Sequence, residues 1–97
     1  AEMNPQKVSC PKEFLGRKFK GRDMSGMDLS TKLLIAADFS DCIFEGTIFL
    51  GADTRDTNFT GADLSEAVFL TQGQINAAKG SRNTKIPGHL HYPVTWK

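Results

Sequence analysis

Residues 37–66 read ADFSD CIFEG TIFLG ADTRD TNFTG ADLSE when the sequence is cut into blocks of five. The third residue of each block is large and apolar, apart from Thr54, and the first residue is small. An α-helix repeats its apolar face about every 3.6 residues and a β-strand about every two, so this period predicts neither element. The period indicates instead a repeat architecture, in which supersecondary units stack on one another.

The same register extends from residue 17 to residue 71. Eleven block centres lie five residues apart, and ten of them are large and apolar. These centres are Phe19, Met24, Leu29, Leu34, Phe39, Phe44, Phe49, Thr54, Phe59, Leu64 and Phe69. Five blocks end in glycine, which suits a turn that requires a positive φ. We expect the centre residues and the small residues two positions before them to point inward, because side chains two apart share a face.

A narrow square tube accounts for this pattern. Each block would form one side and one turn, four blocks would form one coil, and coils would stack through backbone hydrogen bonds about 4.8 Å apart. The first four small-residue positions hold Arg17, Arg22, Met27 and Lys32 instead. Because these four belong to the first coil, we expect their side chains to leave through the open N-terminal end, with their stems lying over it.

The blocks resemble the A-(D/N)-L-x-x consensus of the pentapeptide repeat family, most closely in ADFSD, TNFTG and ADLSE. The resemblance covers residues 17–71. It implies an all-β solenoid, a right-handed quadrilateral β-helix of about three coils. Residues 1–16 would then form an N-terminal arm or cap. Residues 72–97 resemble the tail of many bacterial members and would form a short capping helix followed by an extended segment.

Both ends of the tube are expected to be capped, because an open solenoid end exposes its core and unpaired backbone. Thr71 is a good N-cap for a short helix, Gln74 would complete a capping box, and Gly80 would end the helix. Apolar residues two or four apart could then lay an extended tail against the tube: Ile86, Leu90, Tyr92, Val94 and Trp96. The N-terminal end would be plugged by Met3, Val8, Phe14 and Leu15.

Stacking at a period of twenty residues assigns each outward residue to one of four faces. The candidate interaction surface is the third face with its neighbours on the fourth, and it consists of Ile48, Leu50, Val68, Leu70, Leu33 and Ile35. A soluble monomer rarely leaves such an apolar cluster bare. Three coverings stay open at this point: the chain's own C-terminal segment, a second copy of the chain, or a different protein partner.

Charge is segregated along the chain. Residues 17–36 hold five basic and two acidic groups. Residues 37–71 hold one basic and seven acidic groups, and residues 72–97 hold four basic groups and no acidic group. We expect the basic tail to fold back near the acidic coils, with an acidic binding patch as the alternative. The net charge of +1 argues neither for nucleic acid nor for an acidic membrane as partner. No apolar run approaches the roughly 18 residues needed to span a bilayer.

The pattern contains no catalytic or metal-binding constellation, so we expect neither enzymatic activity nor a cofactor. His89 and His91 have no cysteine or carboxylate cluster near them in sequence. Cys42 occupies an inward small-residue position, which predicts a buried free thiol, although a disulfide to Cys10 stays open. The polar centre Thr54 is expected to bond nearby backbone. The recurring aspartates are explained by turn chemistry.

A non-catalytic scaffold or protein–protein interaction module is therefore the leading hypothesis, with a homodimer or an unidentified protein as partner. The resemblance suggests a second hypothesis, because one branch of the family imitates acidic DNA and protects DNA gyrase from quinolones. The positive net charge argues against it, and a tube of about 13 Å would imitate only about four base pairs. A start at Ala1 and the family-like tail are compatible with a processed, exported protein, and the compartment stays open.

Overall fold

The structure, a computed structural model, describes residues 12–97. Its recurring feature is an isolated parallel β-bridge between residues twenty apart. These bridges are Lys18–Asp38, Asp23–Ile43, Asp28–Ile48, Leu33–Asp53, Asp38–Asn58, Ile43–Asp63 and Ile48–Val68. The chain therefore returns to the same edge after four sides of five residues. Each side contributes one bridge residue between two turns, so the described residues form single bridges and no extended strand.

A left-handed residue closes each corner. From Gly16 to Gly61, every fifth residue has a φ between 56° and 78°. Six of these ten residues are glycines, and Asp41 and Asp56 are among the four that are not. The corner position requires a conformation that glycine adopts without strain and that aspartate tolerates, which explains the residue type at eight of the ten corners, the other two being Thr31 and Ala36.

The interior is a column of large side chains. Phe39, Phe44, Phe49 and Phe59 are fully buried, and their neighbouring ring centroids lie 5.4–6.1 Å apart. The buried block centres are Phe19, Met24, Leu29, Leu34, Phe39, Phe44, Phe49, Thr54, Phe59 and Leu64. Aromatic rings at these distances add to the stabilisation from burial.

Polar residues at the small-residue position, two before each block centre, join one coil to the next. The hydroxyls of Thr47 and Thr57 donate hydrogen bonds of 2.7 Å to the carbonyls of Met24 and Leu34 in the preceding coil. Cys42 places its sulfur 3.0 Å from a carbonyl in the same way. A short side chain with one donor therefore fits the small-residue position and satisfies a buried acceptor, which is why threonine and cysteine share this position with alanine.

Side chains of the first coil cover the N-terminal end. The guanidinium groups of Arg17 and Arg22 lie 5.6 and 5.3 Å from the centre of the Phe19 ring, a cation–π distance. Lys32 is buried, and its ammonium lies 3.1 Å from the carboxylate of Glu13. Large cationic residues replace small ones in this coil because no further coil lies above them.

Phe14 also covers this end, with its ring centroid 5.3 Å from that of Phe19. Leu15, which we expected beside it, is exposed. Met3 and Val8, the other expected members of the plug, lie outside the described residues. The observed plug therefore combines one aromatic ring with the stems of cationic side chains.

Helix α1, Gln72–Ala77, begins the C-terminal cap. Thr71 is its N-cap, and the reciprocal hydrogen bonds with Gln74 form a capping box. The helix ends at the C-cap Ala78, two residues before Gly80. The expectation that the glycine would end the helix was wrong, because the chain returns to the coil path directly after α1.

The tail adds two sides to an incomplete fourth coil. Lys79 forms a parallel bridge with Asn58, and Lys85 forms one with Asp63. The hydroxyl of Thr84 donates to the Phe59 carbonyl at 2.8 Å, as Thr47 and Thr57 do to carbonyls of the coil before them. The basic tail therefore stacks on the acidic coils.

Trp96 completes the core at this end. In the regular blocks a large centre residue follows the bridge residue, but Gly80 stands at this position after Lys79. The ring of Trp96 fills the space instead, since a Cβ added to Gly80 would lie 2.7 Å from its atoms. The indole is buried and donates to the Ala78 carbonyl at 3.2 Å. The tail does not run extended along the tube as expected, since Val94 is 88% exposed in a turn while Trp96 closes the end.

Candidate interaction surface

The last block reverses two expected orientations. The period places Phe69 in the core and Leu70 on the third face, yet Phe69 is 62% exposed and Leu70 only 4%. Phe69 has a φ of 59°, whereas Glu66, at the regular corner position, has no positive φ. The bridges on this face end at Val68, and the left-handed residue that follows turns the chain out of the coil. Phe69 therefore points outward, and Leu70 covers the end of the core.

The apolar face is defined accordingly as Ile48, Leu50, Val68 and Phe69. The exposed fractions of the last three are 54%, 36% and 62%. Ile48 is half-buried, as are Leu33 and Ile35 around the corner. The structure thus brings five of the six predicted surface residues to the outside, removes Leu70, and adds an aromatic ring.

The C-terminal segment does not cover the apolar face. It pairs with the first and second faces through Lys79 and Lys85, and the backbone N–H of His91 bonds the side chain of Gln72 at 2.8 Å. The apolar tail residues that pack against the core do so at the C-terminal end, and they are Ile86, Leu90 and Tyr92. Covering by the tail, one of the three readings of the sequence, was therefore wrong.

Charged groups border the apolar face. Asp28 precedes Ile48 in the same column of bridges. On the neighbouring side, Arg55 and Asp53 form an exposed ion pair of 2.7 Å. An apolar centre within a polar rim is the usual anatomy of a protein–protein interface.

The aspartates of the repeat are engaged in its turns. Asp38 accepts hydrogen bonds from the hydroxyl and the backbone N–H of Ser40, at 2.6 and 2.9 Å, and Asp63 does the same with Ser65. These bonds, the hydroxyl bond first, hold the pKa of both carboxyls below its ordinary value. Hydrogen bonds from the residue two positions on also lower the pKa of Asp23, Asp28 and Asp53.

We expect this turn chemistry to make the protein acid-sensitive. The folded pKa values lie below the unfolded value of about 3.9, so their contribution to stability is present above that pH and is lost as the pH falls through the folded values. In an Asp38→Asn/Asp63→Asn variant the amide still accepts the turn hydrogen bond, as Asn58 does from Thr60 at 3.0 Å, but it does not titrate. Urea midpoints at about pH 6 and about pH 3 should differ less in this variant than in the wild type. If the urea midpoint fell by as much between the two pH values in the variant as in the wild type, this explanation of the turns would be wrong.

The remaining chemistry-bearing residues are exposed or used by the fold. Cys42 is a buried free thiol whose pKa is raised by its burial, and Cys10 lies outside the described residues. Thr54 donates to the Gln74 carbonyl of α1 at 2.7 Å. Within residues 12–97, no three His, Cys, Asp or Glu residues come together as a metal site would require. No helix in the described chain is long and apolar enough to cross a membrane.

Coils of four five-residue sides, stacked in parallel around an apolar column, place this chain among the repeat proteins whose units stack along one axis. The family model described as pentapeptide repeats matches residues 33–69 in eight copies. These residues are pentapeptide repeats, and the resemblance drawn from the blocks is confirmed over this stretch. The stacked bridges begin earlier, at Lys18, and continue to Lys85.

An uncharacterized protein of Bacillus subtilis (strain 168), YybG, is 52% identical over 31 residues. The shared stretch is 32% of this chain and 11% of that protein, so this chain spans only a small part of the relative's length. No solved structure matches this chain. The comparisons therefore identify the repeat and leave the biological role to be proposed from the surface.

Proposed function

We propose that this chain is a non-catalytic repeat scaffold that binds protein through the apolar face, and that its partner there is a second copy of itself. One observation carries the proposal: Leu50, Val68 and Phe69 are all exposed, and the tail pairs with other sides of the rod. Soluble monomers rarely expose such a cluster without a binding role. The match to pentapeptide repeats supports a scaffold or interaction module.

We also assign the coils to the right-handed quadrilateral β-helix. Bridges at twenty-residue spacing and a left-handed corner at every fifth residue support the square section. The match to the pentapeptide repeats supports the handedness. A regular rod of this kind presents its side chains in straight columns, which suits a scaffold.

A second copy fits the apolar face because the face is a column on a regular rod. A two-fold axis would place the same four residues of each copy against one another, as in most homodimers. The rim contains both signs of charge, namely Asp28 and the ion pair that Arg55 forms with Asp53. The layout of charge disfavours imitation of DNA, since basic groups of the first coil and of the tail flank the acidic coils.

The proposal predicts that a Leu50→Lys/Phe69→Lys variant no longer associates with itself. Sedimentation velocity at on the order of 100 μM should give a dimer for the wild type and a monomer for the variant, because two buried charges per copy would oppose the contact. Val94→Lys is the matched control, since Val94 is an exposed apolar residue of the tail and is not one of the four residues of the apolar face. A monomeric wild type, or a variant that still dimerises, would exclude the apolar face as a self-association surface.

A further inference from the structure

The two ends of the rod differ in how their backbone edges are closed. At the C-terminal end, Lys79 and Lys85 form bridges to the first and second sides. Helix α1 closes the fourth side, where the Asp56 N–H donates to the Ala77 carbonyl at 2.9 Å. The tail thus gives the last coil most of the backbone partners that a further coil would provide.

At the N-terminal end, the chain covers the fourth side of the first coil. The Gly16 N–H donates to the Ile35 carbonyl at 2.9 Å, and Glu13 pairs with Lys32 at 3.1 Å. Residues 12–16 therefore take the place of one preceding side.

The first side of this coil has an open backbone edge. Within residues 12–97, neither the N–H nor the carbonyl of Lys18 has a hydrogen-bond partner. One coil further on, Asp38 shows what is missing: its N–H donates to the Arg17 carbonyl at 2.8 Å, and its carbonyl accepts from the Phe19 N–H at 2.7 Å. Lys18 thus presents one free donor and one free acceptor in the geometry of a parallel bridge.

Four cations surround this open side, and they are Arg17, Lys18, Lys20 and Arg22. Their side chains are exposed, and in the described part of the chain none of them forms an ion pair. The open edges of the next two sides carry Asp23 and Asp28 instead. Exposed positive charge of the first coil is therefore concentrated around the first side, since Lys32 on the fourth side is buried and paired with Glu13.

We infer that the first side of the first coil binds an extended acidic peptide segment, which adds to the coil as one more parallel strand. An extended peptide supplies both an acceptor for the Lys18 N–H and a donor for its carbonyl. Acidic side chains would meet the four cations and set the orientation. A nucleic-acid strand would satisfy the cations, but its phosphates offer no donor to the Lys18 carbonyl. This surface is separate from the apolar face and does not depend on self-association.

The test is a titration of the full-length, ¹⁵N-labelled protein with a short peptide of alternating glutamate and valine, followed by NMR. We expect saturable shifts at residues 17–22 and slower hydrogen exchange of the Lys18 amide, which charge attraction to the side chains alone would not produce. The Lys18→Glu/Lys20→Glu variant should bind about tenfold more weakly. The matched control, Lys79→Glu/Lys97→Glu, changes the net charge equally at the other end and should shift the Kd less than about twofold.

Three outcomes would overturn the inference. The first is absence of saturable binding by the acidic peptide. The second is binding of a short DNA duplex as tight as that of the peptide, which would make the surface a general polyanion site. The third is binding without protection of the Lys18 amide, which would mean charge attraction alone. Because the Leu50→Lys/Phe69→Lys variant retains this edge, it should bind the peptide as the wild type does. Failure of the dimer proposal can therefore be distinguished from failure of the peptide-binding proposal.

Discussion

Replacing Phe39 by alanine is expected to lower the free energy of unfolding by about 3–5 kcal/mol. Phe39 is fully buried, and its ring lies 5.1–6.3 Å from the rings of four other phenylalanines: Phe14, Phe19, Phe44 and Phe59. The resulting cavity should close poorly, because the surrounding backbone is held by bridges on each side. Total stabilities of small domains are about 5–15 kcal/mol, so the loss should be large in urea unfolding.

Phe69→Ala is the matched control, since it removes the same atoms from an exposed position of the same repeat register. It should change the unfolding free energy of the monomer by no more than about 0.5 kcal/mol. The comparison should be made at a protein concentration below that of self-association, because dimerisation would add to the apparent stability. Equal losses in the two variants would place both rings in the same environment and contradict the reversed last block.

Trp96→Ala should produce the other large effect, again about 3–5 kcal/mol in the unfolding free energy. The indole fills the space above Gly80, so its removal would open the C-terminal end of the core and free the Ala78 carbonyl. Urea unfolding of Val94→Ala, an exposed tail residue, provides the control and should show little change.

A double-mutant cycle sharpens this test. Gly80→Ala alone should cost about 1–3 kcal/mol, because its Cβ would overlap the ring of Trp96. In the Trp96→Ala background the added methyl group meets no ring, so the cost should largely disappear. Additive losses would mean that the two residues do not share one space, and the described closure of the tube would be wrong.

The five-residue period was the most predictive feature of the sequence. It identified the repeat, which the family match confirms over residues 33–69. Each block carries its own corner residue and its own centre residue, so the local signal recurs and does not depend on distant contacts. The capping box was also readable, because Thr71 and Gln74 lie within one helical turn.

The prediction failed where the repeat ends. The five-residue spacing continues unchanged into the last block, so it gives no sign that the coil ends there. Nothing in the residue types of Phe69 and Leu70 shows which of them the chain turns inward. The tail posed a similar difficulty, because Ala78-Lys79-Gly80 has no large centre and its missing side chain comes from Trp96, sixteen residues further on. The small Ala78 followed by an outward lysine was the only local sign of another side.

The candidate surfaces were predicted in part. Period-twenty stacking brought Leu50 and Val68 together from sequence alone. The exposed state of the apolar face depends on the path of the tail, which the sequence left open among three coverings. The open edge at Lys18 is a property of the backbone hydrogen bonds, which no residue pattern marks.

Backbone NOEs of the isotopically labelled protein test the central claim most directly, namely that the chain returns to the same edge every twenty residues. The account predicts contacts from the Phe19 amide to Asp38 and from the Phe39 amide to Asn58, with the same step repeated on the other sides. A network of contacts with any other spacing, or the absence of contacts between coils, would contradict the stacked coils and every surface assigned from them.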